Sequence, residues 1–354
     1  MTAPRLFASH DPGPDRPLCA APADLPRDPP RDPLHSAFQV LGRAWAAGDL
    51  GALEAAIAED AVLRQPGLVG TGPGSALAEA LADLAVFPGA EILAEDAILS
   101  PTPDSASDAG AGHHVAARAT LLATHHGPGR YGAGSGRQVQ SRSMGEFWID
   151  AAGRVRDAWV IRDTAAILAQ TGGPAPREWA RAQIAAAARG DRMAPPLTPE
   201  TDVEGPYGAR GSSAPAAAGL AELLRRVMGG EIAAIAREYD PACELAHPGG
   251  ETRMGHRAAT AFWAGLRSAL PSAAFRVEHR SAASEPGRPP RAALRWSLYG
   301  RHDGHGRWGP PTGAYVHVLG LTQAEIGPNG LRREWTLLDD TAVWIQIHLA
   351  TGAA

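Results

Sequence analysis

The strongest constraint on this chain is that its sequence is written twice. AAGDLGALEAAIAEDAVLRQPG aligns with MGGEIAAIAREYDPACELAHPG: Gly48 falls on Gly230, Asp49 on Glu231, Leu53 on Ile235, and Gln65-Pro66-Gly67 on His247-Pro248-Gly249, all 182 residues apart. Phe87-Pro88 meets Leu270-Pro271, and Ile92-x-x-Glu95 meets Phe275-x-x-Glu278, at a spacing of 183. THHGPGRYGAGSGRQV lies without a gap over RHDGHGRWGPPTGAYV, pairing His125 with His302, Arg130 with Arg307 and Tyr131 with Trp308. Trp159-x3-Asp163-x6-Gln170 then matches Trp335-x3-Asp339-x6-Gln346. The order is kept and the spacing drifts by only a few residues, so the chain holds two copies of one folding unit rather than one large core.

The copies span residues 34–172 and 216–354, each within the roughly 100–200 residues of an ordinary domain. Residues 1–33 form a Pro/Asp/Arg-rich tail with little to offset the entropy of ordering, so disorder is expected there. Residues 173–215 read as a helix over Pro176–Arg189, with proline at its start and Gly190 just past its end, followed by a Pro/Gly/Ser-rich linker. Copy one carries an insertion, PTPDSASDAGAGHH, that reads as a surface loop.

Within copy two, Leu220, Leu223, Leu224 and Val227 and then Ile232, Ile235 and Tyr239 recur at helical spacing on either side of a Gly-Gly break. HRAATAFWAGLRSAL is a third helix closed by Pro271. Four period-2 runs follow, AFRVEHRSA, RAALRWSLYGRH, AYVHVLGLTQAEI and LRREWTLL, separated by turn signals that suggest antiparallel pairing. Helices first and strands after, without β–α–β alternation, predict an α+β fold in which a sheet of about four strands curls around three helices.

Composition removes several chemistries. Hydrophobic residues make up 44% and charged residues 20%, a globular mix. The net charge of −5 argues against a partner whose phosphates must be neutralised. No apolar run approaches the roughly 18 residues of a bilayer span, and the tail lacks the apolar core of a secretory signal. The expectation is a cytoplasmic protein without nucleic-acid or membrane partners. All 33 basic residues are arginine, so Schiff-base chemistry, a pyridoxal phosphate anchor and a P-loop lysine are excluded. Cys19 and Cys243 form no CxxC pair and suit a reducing compartment. His113, His114, His125 and His126 cluster in the sequence, but on an expected loop and turn without nearby carboxylates, so no metal is expected there.

The succession of elements, read twice, resembles the SnoaL-like polyketide cyclases of the nuclear-transport-factor-2-like superfamily. GRHDGHGRWGPPTG and EWTLLDDTAVWIQI carry the resemblance in copy two; ATHHGPGRYGAGSG and DAWVIRDTAAILAQTG carry it in copy one. It implies two tandem cone-shaped α+β barrels. It also implies a cofactor-free, metal-free intramolecular aldol closure of a polyketide-like ester, in which one Asp moves the proton. Asp339 and Asp163 occupy that place through their Trp-x3-Asp-x6-Gln context. A carboxyl in an apolar cavity has a raised pKa and suits that task. By period 2, Trp335, Leu337 and Asp339 share a face that would line the cavity, as would Trp159, Ile161 and Asp163. The competing reading is that both Asp residues simply cap the helices that follow them.

The resemblance puts Gln323 beside the catalytic Asp, where an amide could hold developing enolate charge, and copy one offers Glu146 there. His247, aligned with Gln65, and His302, aligned with His125, are the histidines placed near the cavity mouth. Copy two keeps the Pro-Pro-Thr-Gly turn, Gln323 with Asp339, and His247, and is the expected catalyst, acting as cyclase or isomerase on a hydrophobic carbonyl-bearing molecule. The alternatives are a non-catalytic binding protein of the same fold, favoured if Arg162 or Arg333 pairs with the Asp, and an epoxide or ester hydrolase with Asp-activated water. Superfamily members commonly dimerise through the outer face of the sheet, so the copies are expected to satisfy that contact as an intramolecular pseudo-dimer; a homodimer of whole chains stays open. Size exclusion with light scattering should therefore report one chain per particle, and a clear dimer mass would reveal a further interface.

Overall fold

A computed structural model of the protein describes residues 50–102, 112–189, 197–202 and 211–352. The tail, most of the linker and the centre of the expected insertion loop fall outside the described residues. The first half runs α1 (Leu50–Ala56), β1 (Ile57–Gln65), β2 (Leu68–Thr71), α2 (Gly72–Val86), β3 (Glu91–Thr102), β4 (Gly112–Thr124), β5 (Gln138–Asp150), β6 (Val155–Arg162) and α3 (Thr164–Thr171). The connecting helix α4 (Pro176–Arg189) follows. The second half repeats this as α5 (Pro215–Met228), α6 (Ala234–Glu238), β7 (Tyr239–His247), β8 (Glu251–Met254), α7 (Gly255–Ala269), β9 (Ala274–Ala283), β10 (Arg291–Arg301), β11 (Tyr315–Gly327), β12 (Gly330–Leu338) and α8 (Asp340–Thr351).

Each half builds a six-stranded sheet, β2-β1-β6-β5-β4-β3 and β8-β7-β12-β11-β10-β9. Only β1 with β6 and β7 with β12 run parallel; the other pairings are antiparallel. The α+β class is as read from the element order, but four strands become six. The two extra strands escape pattern reading for physical reasons. β7 starts on the residue directly after the last of α6, with no turn between them, and the four residues of β8 are all exposed. His113 and His114 lie within β4 rather than on the expected loop. No helix among the described residues is long and apolar enough to cross a membrane.

The sequence repeat has a structural counterpart in the shared turns. His125 N–H donates to the Arg137 carbonyl at 2.9 Å, and His302 N–H donates to the Ala314 carbonyl at 2.8 Å. Each histidine then ties its loop by Nδ1 to a hydroxyl, Ser135 in one copy and Thr312 in the other, both at 3.0 Å. Gly127 and Gly304 sit where an added Cβ would collide with the carbonyls of Ala85 and Ser268 at the ends of α2 and α7. That close approach explains the shared glycine. Gln170 and Gln346 clamp the backbone of Gln140 and His317, donating and accepting one bond each.

One face of each sheet closes over its own helices. In copy two this interior holds Leu224, Trp263, Trp296 and Leu338. The other face of each sheet meets its counterpart, joining Met144, Trp159 and Ile161 to Leu319, Leu321 and Leu337. Here the structure corrects an expectation. Trp335, Leu337 and Asp339 do share a face, as do Trp159, Ile161 and Asp163, but it is the face turned to the other copy. Ala158 and, in copy two, Leu338 point into the cones instead. Both sides of the last strand are covered by protein, so alternation alone gives no sign of which side is interior.

The junction also buries charge. The Arg118 guanidinium lies 3.6 Å from the Trp335 ring centroid and the Arg295 guanidinium 4.2 Å from that of Trp159. These are one contact repeated, since Arg118 aligns with Arg295 and Trp335 with Trp159. Asp157 is fully buried and accepts from Arg64 and, at 3.0 Å, from Arg295. Arg64 also reaches Asp202 in the linker at 2.6 Å. Removing one partner of a buried ion cluster typically costs about 3–5 kcal/mol. Asp157→Ala should therefore lower unfolding stability by about 3 kcal/mol or more in urea titration; a loss under about 1 kcal/mol would mean that water already screens the cluster.

Candidate active site

The interior of copy one keeps a cavity of about 90 Å³. Its apolar wall includes Leu53, Leu63, Ile92, Leu121, Phe147 and Ala158. The interior of copy two differs at two aligned positions. Ala80 on α2 stands where α7 has Trp263, and Ala119 on β4 stands where β10 has Trp296. Both indoles are fully buried. Ala80 lines the copy-one cavity, and an indole takes up the corresponding volume in copy two.

A second, more polar cavity of about 110 Å³ adjoins the first, with Gln65, Val160 and Arg162 forming walls of both. Arg130, Tyr131, Thr164, Trp179 and, from copy two, Asp339, Thr341 and Ile345 also line it. Arg162 pairs with Asp83, and Arg130 lies 3.0 Å from Glu79 and 3.4 Å from Asp83. Burial pushes the Asp83 carboxyl up against the pull of these two guanidinium groups. Burial likewise raises Tyr131, leaving its hydroxyl neutral. Trp179 donates its Nε1–H to the Arg130 carbonyl at 2.6 Å, which brings α4 against this vestibule.

Asp339 is both cap and cavity wall. Its carboxylate accepts from Thr341 N at 2.8 Å and Thr341 Oγ1 at 2.5 Å, and from Thr164 Oγ1 of the other copy at 2.9 Å. Burial nevertheless pushes it up to about 6. Asp163 is its repeat counterpart in a different setting. It caps α3 through Ala166 N at 3.2 Å and accepts from Gly249 N at 2.8 Å and Gly250 N at 2.9 Å across the junction. Burial raises it too, and the three amides pull the other way. These amides hold both its oxygens, and it fastens the Pro-Gly turn of copy two to α3.

The other expected residues divide. Gln65 lies in the wall shared by the two cavities. Gln323 pairs in register with Trp335, four residues and about 13 Å along the strand from Asp339. Its amide donates to the Ala116 carbonyl at 3.1 Å, so Gln323 and Asp339 do not form a pair. His247 points into the copy-two cone, where Nε2 meets Glu334 Oε1 at 3.1 Å and the ring stacks on Phe262 at 3.8 Å. Tyr239 and Thr336 hydroxyls also donate to Glu334. Burial opposes its charge, but these hydrogen bonds prevail and hold it below the usual carboxylate range. His125 and His302 serve their own loops, and burial lowers both. Trp159 and Trp335 receive arginines at the junction rather than lining a cavity. Glu146 is buried at the junction against His114 and His279. Arg162 pairs with Asp83, and Arg333 lies near Glu244 and Glu325; neither serves Asp163 or Asp339.

Sequence reading missed Arg130, Tyr131, Thr164, Glu79 and Asp83. Glu79 and Asp83 carried one usable signal, four-residue spacing on a helix, which puts two carboxyls on one face. Glu334 had none, because it sits in LRREWTLL and reads as a solvated strand position.

Residues 220–331 match the model of the SnoaL-like domain family. No curated relative matches the chain. Among solved structures, IdmH of Streptomyces antibioticus, described as a candidate polyketide cyclase, is 26% identical; the match covers 40% of this chain and 98% of that one, with a TM-score of 0.33. A candidate polyketide cyclase of Acidithiobacillus ferrooxidans is 22% identical over 37% of this chain and 92% of its own, at a TM-score of 0.32. A candidate SnoaL-like cyclase of Jannaschia sp. CCS1 is 21% identical over 38% and 96%, at 0.32.

The Asp339 environment makes a stability claim. Its pKa in the fold, about 6, lies above the ordinary 3.8, so the stability it contributes is full below about pH 4 and lost as pH rises through 6. Asparagine caps as well and does not ionise. Asp339→Asn should match the wild type in urea stability at pH 4 and exceed it at pH 8. Equal or lower stability at pH 8 would show that the carboxylate is not penalised by burial.

Proposed function

We propose that this chain, whose residues 220–331 form a SnoaL-like domain and whose first half repeats that domain's topology, is a cofactor-independent cyclase or isomerase with its working chamber in copy one. The observation that carries this reading is the half-buried Asp339 carboxyl, raised to about 6, in a polar vestibule adjoining an apolar chamber. The chamber suits the hydrocarbon part of a substrate and the vestibule its carbonyl end.

The chemistry follows from the donors present. The ionised Asp339 removes a proton from the carbon beside the carbonyl. The Gln65 amide and the neutral Tyr131 hydroxyl supply hydrogen bonds to the enolate oxygen, with Arg130 and Arg162 adding positive potential. In an aldol closure the carbanion attacks a second carbonyl of the same molecule, and protonated Asp339 returns its proton to the new alkoxide. In an isomerase the proton returns to another carbon. Thr164, donating to Asp339, orients the carboxyl and lowers its proton affinity. The seals on copy two, Trp263 and Trp296, support an architectural role for that cone, which supplies α8 and its Asp.

A hydrophobic aryl ketone tests the proton step directly. With 1-tetralone in D2O, α-proton exchange followed by NMR should be accelerated by the wild type, and Asp339→Asn should lose at least about 100-fold of that acceleration. Asp163→Asn should leave the exchange rate within a few-fold of wild type. Binding of the ketone, seen by saturation transfer, without any accelerated exchange would favour the non-catalytic binding reading.

A further inference from the structure

The junction between the copies contains one cluster that neither the proposed chemistry nor the repeat accounts for. His114 on β4, Glu146 on β5 and His279 on β9 are all buried, and one ligand-type atom from each lies within 4.8 Å of the other two. His114 Nδ1 stands 3.6 Å from Glu146 Oε1, and His279 Nδ1 approaches the same oxygen. The two imidazole rings stack at 3.9 Å with an interplanar angle of 26°.

The repeat supplies an internal control. The residues aligned with His114, Glu146 and His279 are Arg291, Gln323 and Asp96. On that side of the junction Arg291 and Asp96 form a plain ion pair, and Gln323 donates to a backbone carbonyl. The same location can therefore be closed by ordinary pairing. On the other side all three positions carry different residues, and each is a metal-ligating type. An arginine, an aspartate and a glutamine correspond there to two histidines and a glutamate.

We infer that His114, Glu146 and His279 form a binding site for a divalent transition ion of the zinc type, bridging the two copies. Two ligands on one tetrahedral zinc, with bonds of about 2.0–2.2 Å, stand roughly 3.4 Å apart, close to the observed separation of His114 Nδ1 and Glu146 Oε1. Two nitrogens and one carboxylate make a three-ligand set with a fourth position for water. A small cavity of about 10 Å³ beside Glu146, walled by Ala116, Met144 and Gln323, is near the size of a single water. Ser100 pairs across from His114, and Ser281 lies two residues beyond His279 on the same face. Both hydroxyls are buried without a hydrogen-bond partner among the described residues, and so are free to orient an ion-bound water. The positive charge of nearby Arg295 is matched by Asp157 at 3.0 Å. Because His279 comes from copy two and the other ligands from copy one, the ion would fasten the junction rather than take part in the chamber chemistry.

The test uses tag-free, chelator-stripped full-length protein, titrated with Zn²⁺ against a chromophoric chelator and with Co²⁺ by visible absorption. The expected result is one equivalent of ion per chain, with a higher unfolding midpoint when Zn²⁺ is added. Glu146→Gln, which installs the residue found at the aligned position, should weaken binding at least tenfold. The double variant H114R/H279D installs the opposite side's ion pair. It should keep the fold, lose the stoichiometric ion and lose the zinc-dependent rise in midpoint. Absence of a stoichiometric ion in the wild type overturns the proposal, as does unchanged affinity in the folded double variant.

Discussion

Everything distinctive in this molecule depends on two sheets packing their outer faces together within one chain. That packing removes Met144, Trp159, Ile161, Leu319, Leu321 and Leu337 from water, each worth about 1.5–3 kcal/mol when fully buried. It also takes Arg118 and Arg295 out of solvent, which is tolerable because each guanidinium lies over an indole and Arg295 reaches Asp157. Two separate chains would need enough net gain to offset lost translational freedom as well. A covalent link relaxes that demand through effective concentration, so this interface can hold buried ions and histidines that a bimolecular contact would carry at greater risk.

Being joined also frees the copies to diverge. In a homodimer one gene sets both cones, and a substitution that fills one fills the other. Here Trp263 and Trp296 pack inside the second cone, while the first has alanines at both positions and Ala80 lines its cavity. The capping aspartates have diverged in the same way. Asp163 is consumed by three amides, two of them from the Pro-Gly turn of copy two. Asp339 meets hydroxyls of Thr164 and Thr341 beside a cavity. The junction thus carries a wall residue from copy two into the vestibule beside the copy-one chamber, so the candidate site draws on both copies.

Much of the fold was legible because the repeat allowed two noisy readings of one pattern. Leu220, Leu223, Leu224 and Val227 are fully buried on α5, as their spacing predicts. The Gly-Gly break separates α5 from α6, and the four long strands of copy two appear where alternation places them. The candidate site was less legible for a geometric reason. Alternation sorts residues into two faces but gives neither face a destination, and both faces of β6 and β12 are covered by protein. Asp339 therefore stands out in the sequence by its context alone, while the vestibule it lines is shared with residues of copy one that alternation does not point to. Arg130, Tyr131 and Thr164 reach it only through the relative placement of two domains, which no local pattern encodes.

The dual position of Asp339 connects stability with the proposed chemistry. A helix cap by Asp is worth about 1 kcal/mol, and that gain is largest when the carboxylate is ionised at the positive end of the helix. Partial burial works against the same ionised form, and it prevails, since the group is raised to about 6 despite its hydroxyl and amide donors. A residue selected for capping alone would be cheaper as Asn or Ser, which do not ionise. An Asp on the wall of a cavity, with an affinity for a proton near neutral pH, combines the two features that the proposed acid–base role requires, and Asp163, held by three amides, has the burial cost without the cavity.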